Sequence, residues 1–68
     1  MQPDAAHRRL LPLADVMDRV GLRKTAIYER IARHAFPPPV QLGTTVRWVE
    51  SEVEDWIEAR ISERDKAA

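Results

Sequence analysis

Apolar residues recur along this chain at two different periods, and the change of period marks its elements. From Leu13 they fall at Leu13, Val16, Met17 and Val20, the i, i+3, i+4, i+7 stripe of a short amphipathic helix. Asp15 in the first turn suits the helix dipole. Gly21 then supplies the left-handed backbone that ends a helix and lets the chain turn. A second helix is predicted from about Arg23 to His34, with Ile27 and Ile31 as its spine and Leu22 tucked into the preceding turn. At about 100° per residue, Thr25, Glu29, Ala32 and Arg33 point away from that spine, and Tyr28 lies on its shoulder. Phe36 is expected to plug the core. Pro37, Pro38 and Pro39 cannot continue a helix and fix a stiff extended link.

From Val40 to Trp48 the period drops to two. Val40 and Leu42 alternate with Gln41, Val46 and Trp48 alternate with Arg47, and Gly43-Thr44-Thr45 provides the turn of a hairpin. Burying Val46 and Trp48 then directs Arg47 outward. Ser51 followed by Glu54 has the spacing of a capping box. Behind it, Val53, Trp56, Ile57, Arg60 and Ile61 keep one helical face toward the core. The order helix, turn, helix, hairpin, helix defines a mainly α fold with a small β-hairpin, a winged helix-turn-helix. Residues 1–9 lack periodicity and read as a flexible arm, 10–64 as the domain, and 65–68 as a tail. Leu10-Leu11-Pro12 is an extended lead-in, because a residue before proline avoids the helical region.

Sixty-eight residues suffice for one domain and leave no room for an enclosed enzyme pocket. The absence of cysteine fits a reducing cytoplasm, and no apolar run approaches the roughly 20 residues of a membrane span. His7 and His34 have no companions to complete a metal site, and no glycine-rich phosphate loop or nucleophile–base pair is present. No catalysis, cofactor, metal or membrane partner is expected.

Charge changes the picture through its distribution. The net charge is zero, yet residues 19–47 carry Arg19, Arg23, Lys24, Arg30, Arg33 and Arg47 against Glu29 alone, a balance of +5. Residues 50–58 carry Glu50, Glu52, Glu54, Asp55 and Glu58 and no cation, a balance of −5. The acids open the last helix and Arg60, Arg64 and Lys66 close it, an order that its dipole alone explains. The second helix instead opens on cations, at the end where the dipole favours anions. Phosphate of double-stranded DNA is the partner this arrangement fits.

In that reading Arg23 and Lys24 hold phosphates, and Thr25 meets a base edge, a thymine methyl or a phosphate. Tyr28 either donates to a phosphate or packs beside Ile27 and Ile31. Arg33 continues the outward face. Thr44 and Thr45 form the hairpin tip, and Arg47 is either the wing cation or a strand arginine that keeps an edge soluble. Glu29 either accepts from cytosine N4 in the major groove or, the blander reading, pairs with Arg33 one turn on, and Arg19 and Arg30 are expected to be ordinary solvated arginines. About five phosphate contacts give a log–log salt slope of roughly −4 to −5 per copy. That is modest, and tight binding calls for a dimer or a cooperative multimer on DNA. A protein-interaction module without DNA binding, docking through the acidic last helix, is the alternative from another class.

Leu10-Leu11-Pro12-Leu13, Val20-Gly21-Leu22, Thr25-x-Ile27-Tyr28, Phe36-Pro37-x-Pro39-Val40-x-Leu42-Gly43 and Val46-x-Trp48-x-Glu50-Ser51-Glu52-Val53-x-x-Trp56-Ile57 together resemble the AlpA family of prophage-type regulators. That family is similar to the excisionase and MerR-like winged helices, and the resemblance covers about residues 9–62. It implies DNA binding through the second helix and the hairpin, in transcription control or, alternatively, as an excisionase that bends DNA with an integrase as further partner. It puts Lys24, Thr25 and Tyr28 on recognition-helix positions and Arg47 on the wing. The chain departs from the family's pattern in having Arg23 where a small polar cap is usual and Glu29 where a basic residue is common.

Overall fold

Three helices and three short strands follow one another in the computed structural model, which describes residues 8–67. They are β1 (Leu10–Leu11), α1 (Leu13–Val20), α2 (Lys24–Ala32), β2 (Val40–Leu42), β3 (Thr45–Val49) and α3 (Glu50–Ala67). The architecture is the expected winged helix-turn-helix with one strand added. Leu10-Leu11 is not merely an extended lead-in: it pairs antiparallel with β3, Leu10 opposite Val49 and Leu11 opposite Trp48. The sheet order is therefore β1-β3-β2.

Local chemistry sets the helix boundaries. The Pro12 carbonyl accepts from the N–H groups of Asp15 and Val16 at 3.0 and 3.2 Å and so starts α1. Gly21, at φ 69°, closes it by donating its N–H to the Met17 carbonyl. α2 is shorter than its apolar pattern suggests, with Arg23 and Arg33 flanking it as cap residues. His34 stops it at φ 60°. The His34 N–H donates to the Ile31 carbonyl at 3.0 Å and the Ala35 N–H to that of Arg30 at 2.7 Å, the double closure of a Schellman motif. An L-residue pays about 1 kcal/mol or more for that left-handed backbone.

The hairpin differs from expectation in register. Its turn is the two-residue Gly43-Thr44, with Gly43 at φ 62°, the glycine-first pattern of a type II′ turn. Thr45 belongs to β3, opposite Leu42, and Val40 lies opposite Arg47. Residues directly opposite share a face. Val40 and Leu42 therefore stand with Thr45 and Arg47 on the outer face, 39% and 45% exposed, while Gln41 pairs with half-buried Val46.

Nearly every element sends one side chain to the centre. The core is Leu11 from β1, Val16 from α1, Ile27 from α2, Phe36 from the link, Trp48 from β3 and Val53 from α3. Two indoles tie down the proline-rich link. Trp48 Nε1 donates to the Pro37 carbonyl at 3.0 Å, and Trp56 Nε1 to that of Ala35 at 2.7 Å. Phe36 meets Trp56 edge-on at 4.9 Å.

α3 begins without a loop after β3, so Ser51 is already inside the helix and no capping box forms among the described residues. The Glu50 N–H is satisfied instead by the Arg9 carbonyl at 2.8 Å. Arg19 is not simply solvated: its Nη1 lies 2.9 Å from the Glu50 carboxylate and 3.3 Å from that of Glu54. These contacts bind α1 to α3 and account for two of the clustered acids. The helix runs to Ala67, through positions 65–67 of the expected tail, and Ile61 is 39% exposed where it outruns the core. Of the expected arm, residues 1–7 lie outside the described residues.

Candidate nucleic-acid interface

α2 presents its exposed face because Ile27 is fully buried on the other side. One face down implies the opposite face out. Lys24, Thr25, Tyr28, Glu29 and Ala32 line one shallow, open depression on that surface. Three of the expected contact residues, Lys24, Thr25 and Tyr28, are thus brought together. Tyr28 is 37% exposed, and its ring packs edge-on against Trp48 at 6.0 Å. Its ring rests on the wing strand while part of it faces solvent.

The N-terminal end of α2 is electrostatically open. Arg23 occupies the cap position in extended backbone, at φ −85° and ψ 167°, and provides no side-chain hydrogen bond to the helix. No acid sits in the first turn. The free N–H groups there, with their partial positive charge, are joined by the exposed cations of Arg23 and Lys24. Arg33 is exposed at the opposite cap. Among the described residues none of Arg23, Lys24, Arg33 or Arg47 pairs with a carboxylate, whereas Arg19, Arg60 and Arg64 all do.

The wing residues are arranged differently from a projecting tip. Thr44 is exposed in the turn, but Thr45 lies in the strand and its hydroxyl donates to the Leu42 carbonyl at 3.0 Å. Arg47 is half-buried in mid-strand opposite Val40, and its Nη1 donates to the Val46 carbonyl at 2.8 Å. Gln41 braces the turn, its Nε2 donating to the Gly43 carbonyl at 2.7 Å.

Glu29 is expected either to read a cytosine or to form an ion pair with Arg33. That ion pair is absent among the described residues, and Glu29 lies in the depression beside Thr25 and Tyr28. Arg30 is also not simply solvated, since its Nη1 donates to the Ala26 carbonyl at 3.3 Å. Among the described residues no helix is long and apolar enough to cross a membrane, and no group of three or more His, Cys, Asp or Glu is placed to hold a metal ion.

Helix-turn-helix, three-stranded wing and an outward α2 face define a winged helix-turn-helix protein. Residues 9–61 match the family described as prophage CP4-57 regulatory protein (AlpA). The chain is also 42% identical over 65 residues to the uncharacterized protein ORF88 of Enterobacteria phage P4, covering 94% of this chain and 74% of that one. It belongs to the AlpA family of prophage regulatory proteins. No solved structure matches it.

Proposed function

We propose that this chain binds double-stranded DNA as a site-specific transcriptional regulator of a prophage or mobile element. α2 enters the major groove by its N-terminal end, and the hairpin rests on the flanking backbone. The observation that carries this reading is the start of α2, where uncapped N–H groups, Arg23 and Lys24 meet with no acid to neutralise them. Arg23 and Lys24 hold phosphates and set register, Thr25 and Tyr28 face the groove, and Arg33, Thr44, Thr45 and Arg47 complete the contact. With Arg19 committed to Glu50 and Glu54 and Arg30 turned back onto the Ala26 carbonyl, four of the six cations between residues 19 and 47 remain for phosphates and the salt slope becomes about −4 per copy. A slope that small favours occupancy by two or more copies.

Footprinting on the DNA flanking the chain's own gene, at several salt concentrations, tests the proposal. Lys24→Ala and Arg47→Ala should each weaken binding and reduce the slope by about 0.9. Unchanged affinity in both variants removes this docking mode. A single palindromic operator fits the regulator, whereas stepwise shifts with DNA bending fit an excisionase working beside an integrase. A chain that shows no salt-dependent DNA binding but holds a stable protein complex is an interaction module instead.

A further inference from the structure

Glu29 is the one acidic residue of α2, and the fold makes no use of it. Its side chain is exposed and has no ion-pair partner among the described residues. It sits past the middle of the helix, toward the end where the dipole disfavours a negative charge. Yet it lines the same depression as Lys24, Thr25, Tyr28 and Ala32. Helical side chains lean toward the N-terminus, so Glu29 overlies the turn that Thr25 occupies, one turn nearer the groove than its backbone. Ala32, small and exposed beside it, leaves room for the helix to approach closely.

A carboxylate carried between two rows of phosphates is repelled unless it finds a donor. The major groove offers donors from two bases only, the N4 amino group of cytosine and the N6 amino group of adenine. Adenine places the N7 lone pair beside its amino group, and that lone pair repels the second carboxylate oxygen. Cytosine places a C–H there. Guanine and thymine present acceptors alone. Resting on the DNA-binding reading above, we infer that Glu29 is a specificity-determining residue that accepts from cytosine N4 and fixes one C·G pair in each bound site. Arg23 and Lys24 supply affinity for any duplex, and Glu29 subtracts from that affinity wherever cytosine is missing.

The test is selection from a randomised duplex library with the wild-type chain, Glu29→Ala and Glu29→Gln, followed by titration of the selected duplex and its single-base variants. The wild type should prefer cytosine at one position by about tenfold. Glu29→Ala should flatten that position, leave the rest of the site intact, and bind a non-cognate duplex more tightly than the wild type does. Glu29→Gln should move the preference toward adenine, whose N6 and N7 suit an amide. Each variant lies at an exposed helical position, and an unchanged melting temperature certifies its fold. Retention of the cytosine preference in Glu29→Ala overturns the inference, as does parallel weakening at all positions. Either result leaves salt-dependent binding by the wild type standing. A wild type without such binding overturns the functional reading and this inference together.

Discussion

Replacing Trp48 with phenylalanine tests the packing that joins α2, link and wing. The indole is fully buried, donates to the Pro37 carbonyl at 3.0 Å, meets the Tyr28 ring at 6.0 Å and lies opposite Leu11 in the sheet. Phenylalanine refills the benzene part of that volume and leaves the pyrrole part empty. The missing apolar surface, on the order of 50 Å², costs about 1 kcal/mol. Loss of the donor strands the Pro37 carbonyl for about 1 kcal/mol more, near the low end of the range because Pro37 is only half-buried. The sum, about 2 kcal/mol, is a large part of the roughly 3–9 kcal/mol expected for a domain of this size. Urea denaturation is the assay, with Trp56 remaining as the single fluorescent indole. With m near 1 kcal/mol/M for so small a chain, the midpoint should fall by about 2 M. A midpoint within about 0.5 M of the wild type, at unchanged m, refutes the reasoning.

Two substitutions at the ends of α2 should act in the opposite direction. Arg23→Ser supplies the missing cap and should raise stability by about 1 kcal/mol in the same denaturation experiment, while weakening duplex binding in a salt titration because a phosphate contact is lost. His34→Gly relieves the left-handed backbone at φ 60° and should stabilise by about 1 kcal/mol, with DNA affinity unchanged.

The helices were readable because their information is local. Val16, Ile27 and Val53 sit in the core where a count of 3.6 residues per turn puts them, and Gly21 ends α1 as its lack of a side chain allows. What escaped depends on residues distant in the chain. Nothing within Leu10-Leu11 announces a strand, because the partner that makes it one is Trp48-Val49. Arg19 read as solvated because Glu54 stands 35 positions away. Ser51 and Glu54 match a cap motif by spacing, but β3 runs straight into the helix and places its first residue at Glu50, two residues before the Glu52 that a Ser51 cap implies. In the hairpin the alternation put Val46 and Trp48 inward and Arg47 outward, but a two-residue turn, not the apolar pattern, sets which side Val40 and Leu42 occupy. At the candidate site the cations at the head of α2 were visible in the sequence. The solitary state of Glu29 was not, since Arg33 stood at the right interval to neutralise it.

The direct passage from β3 into α3 leaves no linker between the hairpin and the final helix. Their junction is Glu50, held by the Arg9 carbonyl through its amide and by Arg19 through its carboxylate. α3 has 18 residues, about 27 Å of rigid rod. A tilt of about 10° where the strand becomes helix would carry the distal end through about 5 Å. Val53 in the core, Trp56 on the Ala35 carbonyl and Glu54 on Arg19 fix that angle, so the aim of the overhanging end is set at the root of the helix.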